Sequence, residues 1–486
     1  MELPLLLALF VFAPVAPFKF LCVSPRNANS HVNFQARITD ALVDAGHEVV
    51  MLSAMVDPSI PVGTKKARVI SVPQSPAMAD MLDEFNRDGG TISDAWMMQS
   101  GWELIRSFQP FVDGNIQQCN YTLQIPGLIE SLRAEKFDAA YAEAMDHCSF
   151  GLFKLLGIEK YAIAQSFAVN DDDFAWTGVP GNPAYVPSMM SDKHGDQMTF
   201  WQRLRNTLIR YDSGRTWGGV TAVKYDEIFR QFDPNFPGIT GVLANNSYVF
   251  MNTEPLTDFP RPVSSKVIDV GGIVVSGGHS PLNKTWSDIM DLRPQTVLLS
   301  FGTFAKAHLM PAAYKKTILK TVVKFPNTTF IWKYEKPEHR ISEGIPNLID
   351  STWVPQNDML RDSRLTAFIT HCGQGSTTES NTAGVPLVVI PVLADQIRNA
   401  QAIKRNGLGV VLDKEDLAST GPLEDALTEL LSNPVYRLQA KKMAKMLANR
   451  PFPMRKTFVR HMEFLAEYGP LRQLDHYGTQ LNFVSV

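Results

Sequence analysis

Residues 353 to 400 read WVPQNDMLRDSRLTAFITHCGQGSTTESNTAGVPLVVIPVLADQIRNA, and this stretch restricts the fold of the chain more tightly than any other. Leu365 to Thr370 is an apolar run of strand length, suited to a buried strand. His371, Cys372, Gly373, Gln374, Gly375 and Ser376 follow at once, and the two glycines let backbone approach an anion closely. Thr377 to Thr382 then suits a helix whose N-terminus aims unpaired N–H groups and a positive dipole end at that anion. Glu379 falls one turn further on, within reach of a ribose hydroxyl. Gly384 and Pro386 end the helix, and Leu387 to Ile390 is a second strand. Asp395 and Gln396 open the next helix with short polar side chains that can take sugar hydroxyls. Strand, anion turn, helix, strand and polar helix start together form a cradle for a nucleotide-sugar.

The rest of the chain predicts parallel sheets. Phe18 to Ser24 reads as a strand, a helix from Ser30 as N-cap to about Ala45 follows, Gly46 stops it, and Glu48 to Leu52 is the next strand. His31 lies in the first turn of that helix, beyond a strand's carboxyl end, where α/β proteins place their chemistry. Met78 to Phe85 and Trp96 to Phe108 read as helices, Phe137 to Ala142 as a strand, Phe150 to Leu156 as a helix, and Lys160 to Ala164 as a strand. The loop-rich Asn170 to Trp217 suits part of an acceptor pocket with Phe174, Trp176, Met189 and Met190, although packing is the simpler role for each alone. Tyr248 to Asn252 reads as the last strand of a first domain, with a boundary near residue 265. A second domain opens with Thr296 to Phe301, whose Ser300-Phe301-Gly302-Thr303 makes a second anion-suited turn before a helix from His308 to Val323. A last helix spans Phe452 to Tyr468.

The chain's 486 residues exceed one ordinary core and imply two domains. A net charge of −3 leaves no basic footprint for nucleic acid. Asp171-Asp172-Asp173 reads as a solvated loop, and no further ligands have metal-like spacing, so no metal is expected. The absence of G-x-G-x-x-G after the first strand argues against a nicotinamide oxidoreductase. Residues 3 to 17, LPLLLALFVFAPVAP, are too short to span a bilayer comfortably and read as a signal peptide. Sequons at Asn120, Asn245, Asn283 and Asn327 agree with a secretory route, to the endoplasmic reticulum lumen or outside the cell. Four cysteines make no disulfide framework. A Cys119–Cys148 bridge is feasible, but buried free thiols are the preferred expectation.

The core stretch resembles the signature of the UDP-glycosyltransferases, including the animal UDP-glucuronosyltransferases. Trp353-x-Pro355-Gln356-Asn357-Asp358, Thr370-His371-x-Gly373, Glu379, Gly384-Val385-Pro386, Ile390-Pro391 and Asp395-Gln396-x-x-Asn399 match it in register. Cys372 departs from the family's usual Gly. The resemblance, which runs from Phe18 through the chain, implies an α/β GT-B fold of two Rossmann-like domains facing across a cleft. Residues 18–265 would bind acceptor, 266–450 would bind UDP-sugar, and 451–486 would cross back to the first domain. Related animal transferases continue into a transmembrane tail, and no 18-residue apolar run closes this sequence.

The resemblance also implies roles. His31 matches the catalytic base, for which a near-neutral pKa suits histidine. The carboxylate that would orient it is Glu143, where the family has Asp, with Asp146 a rival. Trp353 would stack on uracil, Gln356 and Glu379 would hold ribose, and His371, Gly373, Ser376 and Thr303 would face the diphosphate. Asp395 and Gln396 would hold the sugar. Helix dipole, backbone N–H groups and a histidine would neutralise the leaving UDP, with no cofactor beyond the UDP-sugar co-substrate. The implied activity is inverting transfer of glucuronate or glucose to small lipophilic acceptors, as in detoxification. The other reading is a catalytically silent UDP-sugar-binding partner of membrane-anchored relatives, in homo- or hetero-oligomers.

Overall fold

A computed structural model describes residues 17–87, 90–168, 177–179, 181–190, 193–275 and 280–477. The aspartates at 171–173, Phe174, Trp176 and the signal-peptide stretch lie outside the described residues.

Two parallel sheets organise the chain. The first contains β1 (Lys19–Val23), β2 (Glu48–Ala54), β3 (Arg68–Val72), β4 (Ala139–Ala142), β5 (Tyr161–Gln165), β6 (Tyr248–Met251) and β7 (Val267–Asp269), in the order β3-β2-β1-β4-β5-β6-β7. The second contains β8 (Gln295–Ser300), β9 (Thr328–Lys333), β10 (Leu348–Ser351), β11 (Leu365–Thr370), β12 (Leu387–Val389) and β13 (Gly409–Val411), in the order β10-β9-β8-β11-β12-β13. Each sheet winds outward from its first strand in both directions, so its switch point lies between the first and fourth strands, β1/β4 and β8/β11. The central strands are buried on both faces, which explains their continuous apolar runs.

The helices that position the site are α1 (Asn29–Asp44), α2 (Cys148–Leu156), α3 (Gln356–Arg361), α4 (Gln374–Ala383), α5 (Asp395–Arg405) and α6 (Met454–Tyr468). Ala28 rather than Ser30 is the N-cap of α1, because the chain turns helical two residues before the expected cap allows, and no side chain caps it. The helix expected from His308 is split: a 3-10 turn at Ala307–Leu309 precedes Pro311, and the α-helix runs Ala312–Val323. The first sheet continues past residue 265 through β7, which pairs in parallel with β6. Helix α6 packs on the first domain. Phe458 is fully buried against Tyr141 and Phe250, and Lys160 Nζ donates to the Ala466 carbonyl at 2.5 Å.

Cys119 and Cys148 are joined in a disulfide, and only Cys22 and Cys372 are free and buried. This overturns the expectation of four free thiols: the helix Gln109–Leu123 passes beside the start of α2, and their Cα atoms lie 5.7 Å apart. Met189 and Met190 do not line an open pocket. They are buried in an apolar cluster that also holds Trp96 and Ile209 of the first domain and Phe301, Trp332 and Ile390 of the second. The domains are therefore welded by a shared core beside the cleft.

Candidate active site

The first half of the site sits at the β1/β4 switch point. His31 lies in the first turn of α1, and Glu143 is the first residue after β4. His31 Nδ1 is 2.7 Å from Glu143 Oε2. The sequence offered no reason to pick Ser166, the residue after β5. Its backbone N–H donates to Glu143 Oε1 at 2.8 Å and its Oγ lies 3.0 Å from His31 Nδ1. Phe167 packs edge-on against the His31 ring at 6.0 Å. With Nδ1–H donated to the carboxylate, Nε2 carries the free lone pair. Burial lowers the His31 pKa, but the Glu143 carboxylate, with Asp395 behind it, outweighs burial and raises it above the ordinary value. Burial likewise works against the Glu143 anion, and His31 and Ser166 overcome it and hold the carboxyl below its ordinary range.

Asp146 does not partner His31. Its oxygens accept from Cys148 N–H at 3.0 Å, Ser149 Oγ at 3.2 Å and Tyr225 Oη at 3.3 Å, which fastens the start of α2. Burial raises its pKa to about 6. It still lines, with His31, Glu143, Asn27 and Gln35, a small cleft.

The second half sits at the β8/β11 switch point. His371 is the first residue after β11, and its ring lies between two turns that only glycine allows. A Cβ on Gly302 or on Gly373 would come 2.6 Å from His371 Nε2. Thr303 is exposed on the first of these turns. Lys333, at the end of β9, donates to the Gly302 carbonyl at 2.6 Å and is 7% exposed. Burial, and then the Lys333 ammonium, lower the His371 pKa to about 4. This environment favours the neutral imidazole, which offers an anion a hydrogen bond rather than a charge. Lys333, absent from the sequence-based set, is the nearby cation.

Further along α4, Gln356, Ser376 and Glu379 come together. Gln356 Nε2 donates to Glu379 Oε2 at 2.7 Å and lies 3.1 Å from Ser376 Oγ. Burial raises the Glu379 pKa. Trp353 stays two-thirds exposed, a flat apolar face open to a ring. Asp395 begins α5 and holds Asn399 Nδ2 at 2.9 Å, while Asn399 also donates to the Cys372 carbonyl at 3.1 Å. Gln396 Oε1 accepts from the N–H groups of Val392 and Leu393, so its oxygen shapes its own loop. Two turns here hold non-glycine residues at positive φ: Cys372 at 66° and Ala394 at 53°. The first explains why glycine would suit position 372. Its thiol is buried against Thr377 Oγ1 at 3.3 Å, and burial pushes its pKa up to about 12. Among the described residues no three His, Cys, Asp or Glu side chains converge as metal ligands, and no helix is long and apolar enough to cross a membrane.

Two doubly wound domains meeting at a cleft, with a carboxylate-held histidine on one side and a glycine-framed anion turn on the other, define a nucleotide-sugar-dependent transferase of the GT-B class. Residues 19–476 match the family model described as "UDP-glucoronosyl and UDP-glucosyl transferase", and the chain belongs to that UDP-glycosyltransferase family. It is 30% identical to "Putative UDP-glucuronosyltransferase ugt-48" of Caenorhabditis elegans, over 99% of this chain and 92% of that protein. It is 28% identical to "Putative UDP-glucuronosyltransferase ugt-47" of Caenorhabditis briggsae, over 99% and 90%. Os79 from O. sativa, solved with U2F and trichothecene, superposes with a TM-score of 0.60 at 16% identity, covering 92% of this chain and all of its own. Spinosyn rhamnosyltransferase SpnG, solved with thymidine diphosphate, superposes at 0.57 and 16% identity, over 92% of this chain and all of its own. These structures share the GT-B fold.

Proposed function

We propose that the chain transfers glucuronate or glucose from its UDP-sugar to a hydroxyl of a small lipophilic acceptor, with inversion at the anomeric carbon. The observation that carries this reading is the His31–Glu143 contact of 2.7 Å, beside Asp395 at the donor helix start. The acceptor oxygen attacks C1 of the sugar from the face opposite UDP. The C1–O bond to the β-phosphate breaks and its electron pair leaves with UDP. The acceptor proton passes to His31 Nε2, and Glu143 stabilises the resulting imidazolium. Trp353 takes the uracil, Gln356 and Glu379 the ribose, and Asp395 and Gln396 the sugar. Thr303, Ser376, the α4 N-terminus with Gly373, and neutral His371 bind the diphosphate, and Lys333 adds the positive charge. No cofactor is assigned beyond the co-substrate.

We also read the chain as following the secretory route, with a detoxifying role. The disulfide supports an oxidising compartment, and Asn245, Asn283 and Asn327 are exposed for glycosylation. The test is transfer to phenolic acceptors by wild type and His31→Ala, with UDP-glucose and UDP-glucuronate compared and the product anomer read by NMR. Turnover in wild type alone, with UDP binding kept in the variant, is expected. Intact UDP binding without turnover in wild type would replace this reading with the silent donor-binding partner.

A further inference from the structure

Helix α5 presents Asp395 and Asn399 to the donor site, and between them stands Arg398. Arg398 is 1% exposed, and its guanidinium is enclosed by the other domain. Nη1 lies 2.6 Å from Asp258 Oδ1, Nε donates to the Pro187 carbonyl at 3.1 Å, and the guanidinium carbon sits 5.2 Å from the centre of the Phe259 ring. The pair is costly. Asp258 Oδ2 and both Arg398 Nη atoms are buried without a well-formed hydrogen bond. A buried pair so incompletely bonded is poor glue, since apolar side chains of similar size hold domains at least as well. Its value must come from what it connects.

The connection can be followed bond by bond. Asp258 and Phe259 belong to the crossover after β6. Asn252 of that crossover donates to the Ser166 carbonyl at 2.8 Å, and Thr253 Oγ1 and Arg261 Nη1 both donate to the Ala168 carbonyl at 3.0 Å. Ser166 and Phe167 are the residues that touch His31. A second strand of contact starts on α4, where Gln374 Nε2 donates to the Asn252 carbonyl at 2.7 Å. The crossover is therefore gripped by both helices, α4 and α5, and itself grips the segment that seats the histidine.

We propose that Arg398 is a positioning residue that couples the donor helix α5 to the seating of His31 through the 252–261 crossover. The proposal rests on His31 being the base. Asp395, Glu143 and Asp146 are the ionisable groups beside His31, and Arg398 reaches it by charge only at one remove, through Asp395. Its removal acts on His31 through geometry, as a looser Ser166 lets the His31–Glu143 contact lengthen; loss of its charge beside Asp395 would instead move the acid limb to higher pH, so the direction of the shift separates the two.

The test compares wild type, Arg398→Met, Arg398→Lys and the exchanged pair Arg398→Asp with Asp258→Arg, with His31→Ala alongside. Arg398→Met should lower kcat for transfer about 10-fold or more, shift the acid limb of kcat/KM to lower pH, and leave the Kd for UDP within about 3-fold. Arg398→Lys should fall between, and the exchanged pair should recover part of kcat. If Arg398→Met folds and moves only Tm or UDP affinity, with kcat and acid limb as in wild type, the coupling is wrong. If it fails to fold, the Lys variant decides by the same two readouts. If His31→Ala keeps turnover, the base assignment itself has failed, whatever Arg398 does.

Discussion

In both sheets the strand order reverses between the first and fourth strands, and in both a histidine sits at the reversal. His31 rises from the helix after β1 and meets Glu143, the first residue after β4. His371 is itself the first residue after β11 and feels the charge of Lys333 at the end of β9. Both imidazoles are sheltered, so burial alone would lower both pKa values. The neighbour decides: the carboxylate turns the shift of His31 upward, and the ammonium deepens that of His371 to about 4. One topology thus places an imidazole whose surroundings favour the charged form on the first domain, and one whose surroundings favour the neutral form on the second. The two reversals carry opposite electrostatics because of the charged side chain beside each imidazole.

The contrast breaks most visibly at His31. His31→Ala should lower kcat about 10³-fold, within the usual range for a general base, with UDP affinity unchanged. A fall below 10-fold, in assays saturated with both substrates, would mean that another group takes the proton. Glu143→Gln comes next. It keeps size and a hydrogen-bond acceptor but removes the anion, and should cost about 10²-fold in kcat. Its direction in pH is fixed. The base must be neutral, so activity falls as pH drops through the His31 pKa, which Glu143 holds above the ordinary value. Without the carboxylate, burial acts almost alone, the pKa falls, and the acid limb of kcat/KM moves to lower pH. An unmoved limb would detach the titration from this pair.

How far the sequence revealed these two regions follows the same line. The second was legible because its residues lie within one continuous run, 353 to 399, and local spacing places turn, helix and ribose group together. The first was legible only in pieces. His31 and Glu143 are 112 positions apart, and topology alone brings them to 2.7 Å. Ser166, after a third strand, carried no local mark at all. Lys333 was missed for a similar reason: on β9 it reads as the polar end of a strand, and its role appears only when β9 pairs with β8 beside Gly302. The disulfide, too, depends on two helices meeting, which the spacing of four cysteines does not encode.

His371→Ala should sharpen the contrast from the other side. It removes a neutral hydrogen-bond donor, worth about 1 kcal/mol, so donor KM should rise about 5- to 10-fold. The acid limb should stay where wild type has it, because a group with a pKa of about 4 does not change charge across the working range. A limb that moved would show His371 charged in the free enzyme and would abolish the distinction drawn here.

The smallest effect concerns how each region is held. The His31–Glu143 pair rests on ordinary backbone: His31 lies in regular helix and Glu143 directly follows a strand. The donor side stores strain. Ala394, just before Asp395, has φ 53° and ψ −138°, a region that side chains avoid and glycine enters freely. Ala394→Gly should therefore stabilise the fold by up to about 1 kcal/mol, less the added freedom of glycine in the unfolded chain, a rise in Tm of about 1–2 °C. The freed turn also loosens the aim of Asp395, so donor KM should rise about 2-fold while the acid limb set by His31 stays fixed. A Tm at or below that of wild type would show that the Ala394 backbone costs nothing. The two halves of the site would then differ in charge but not in how their backbones are held.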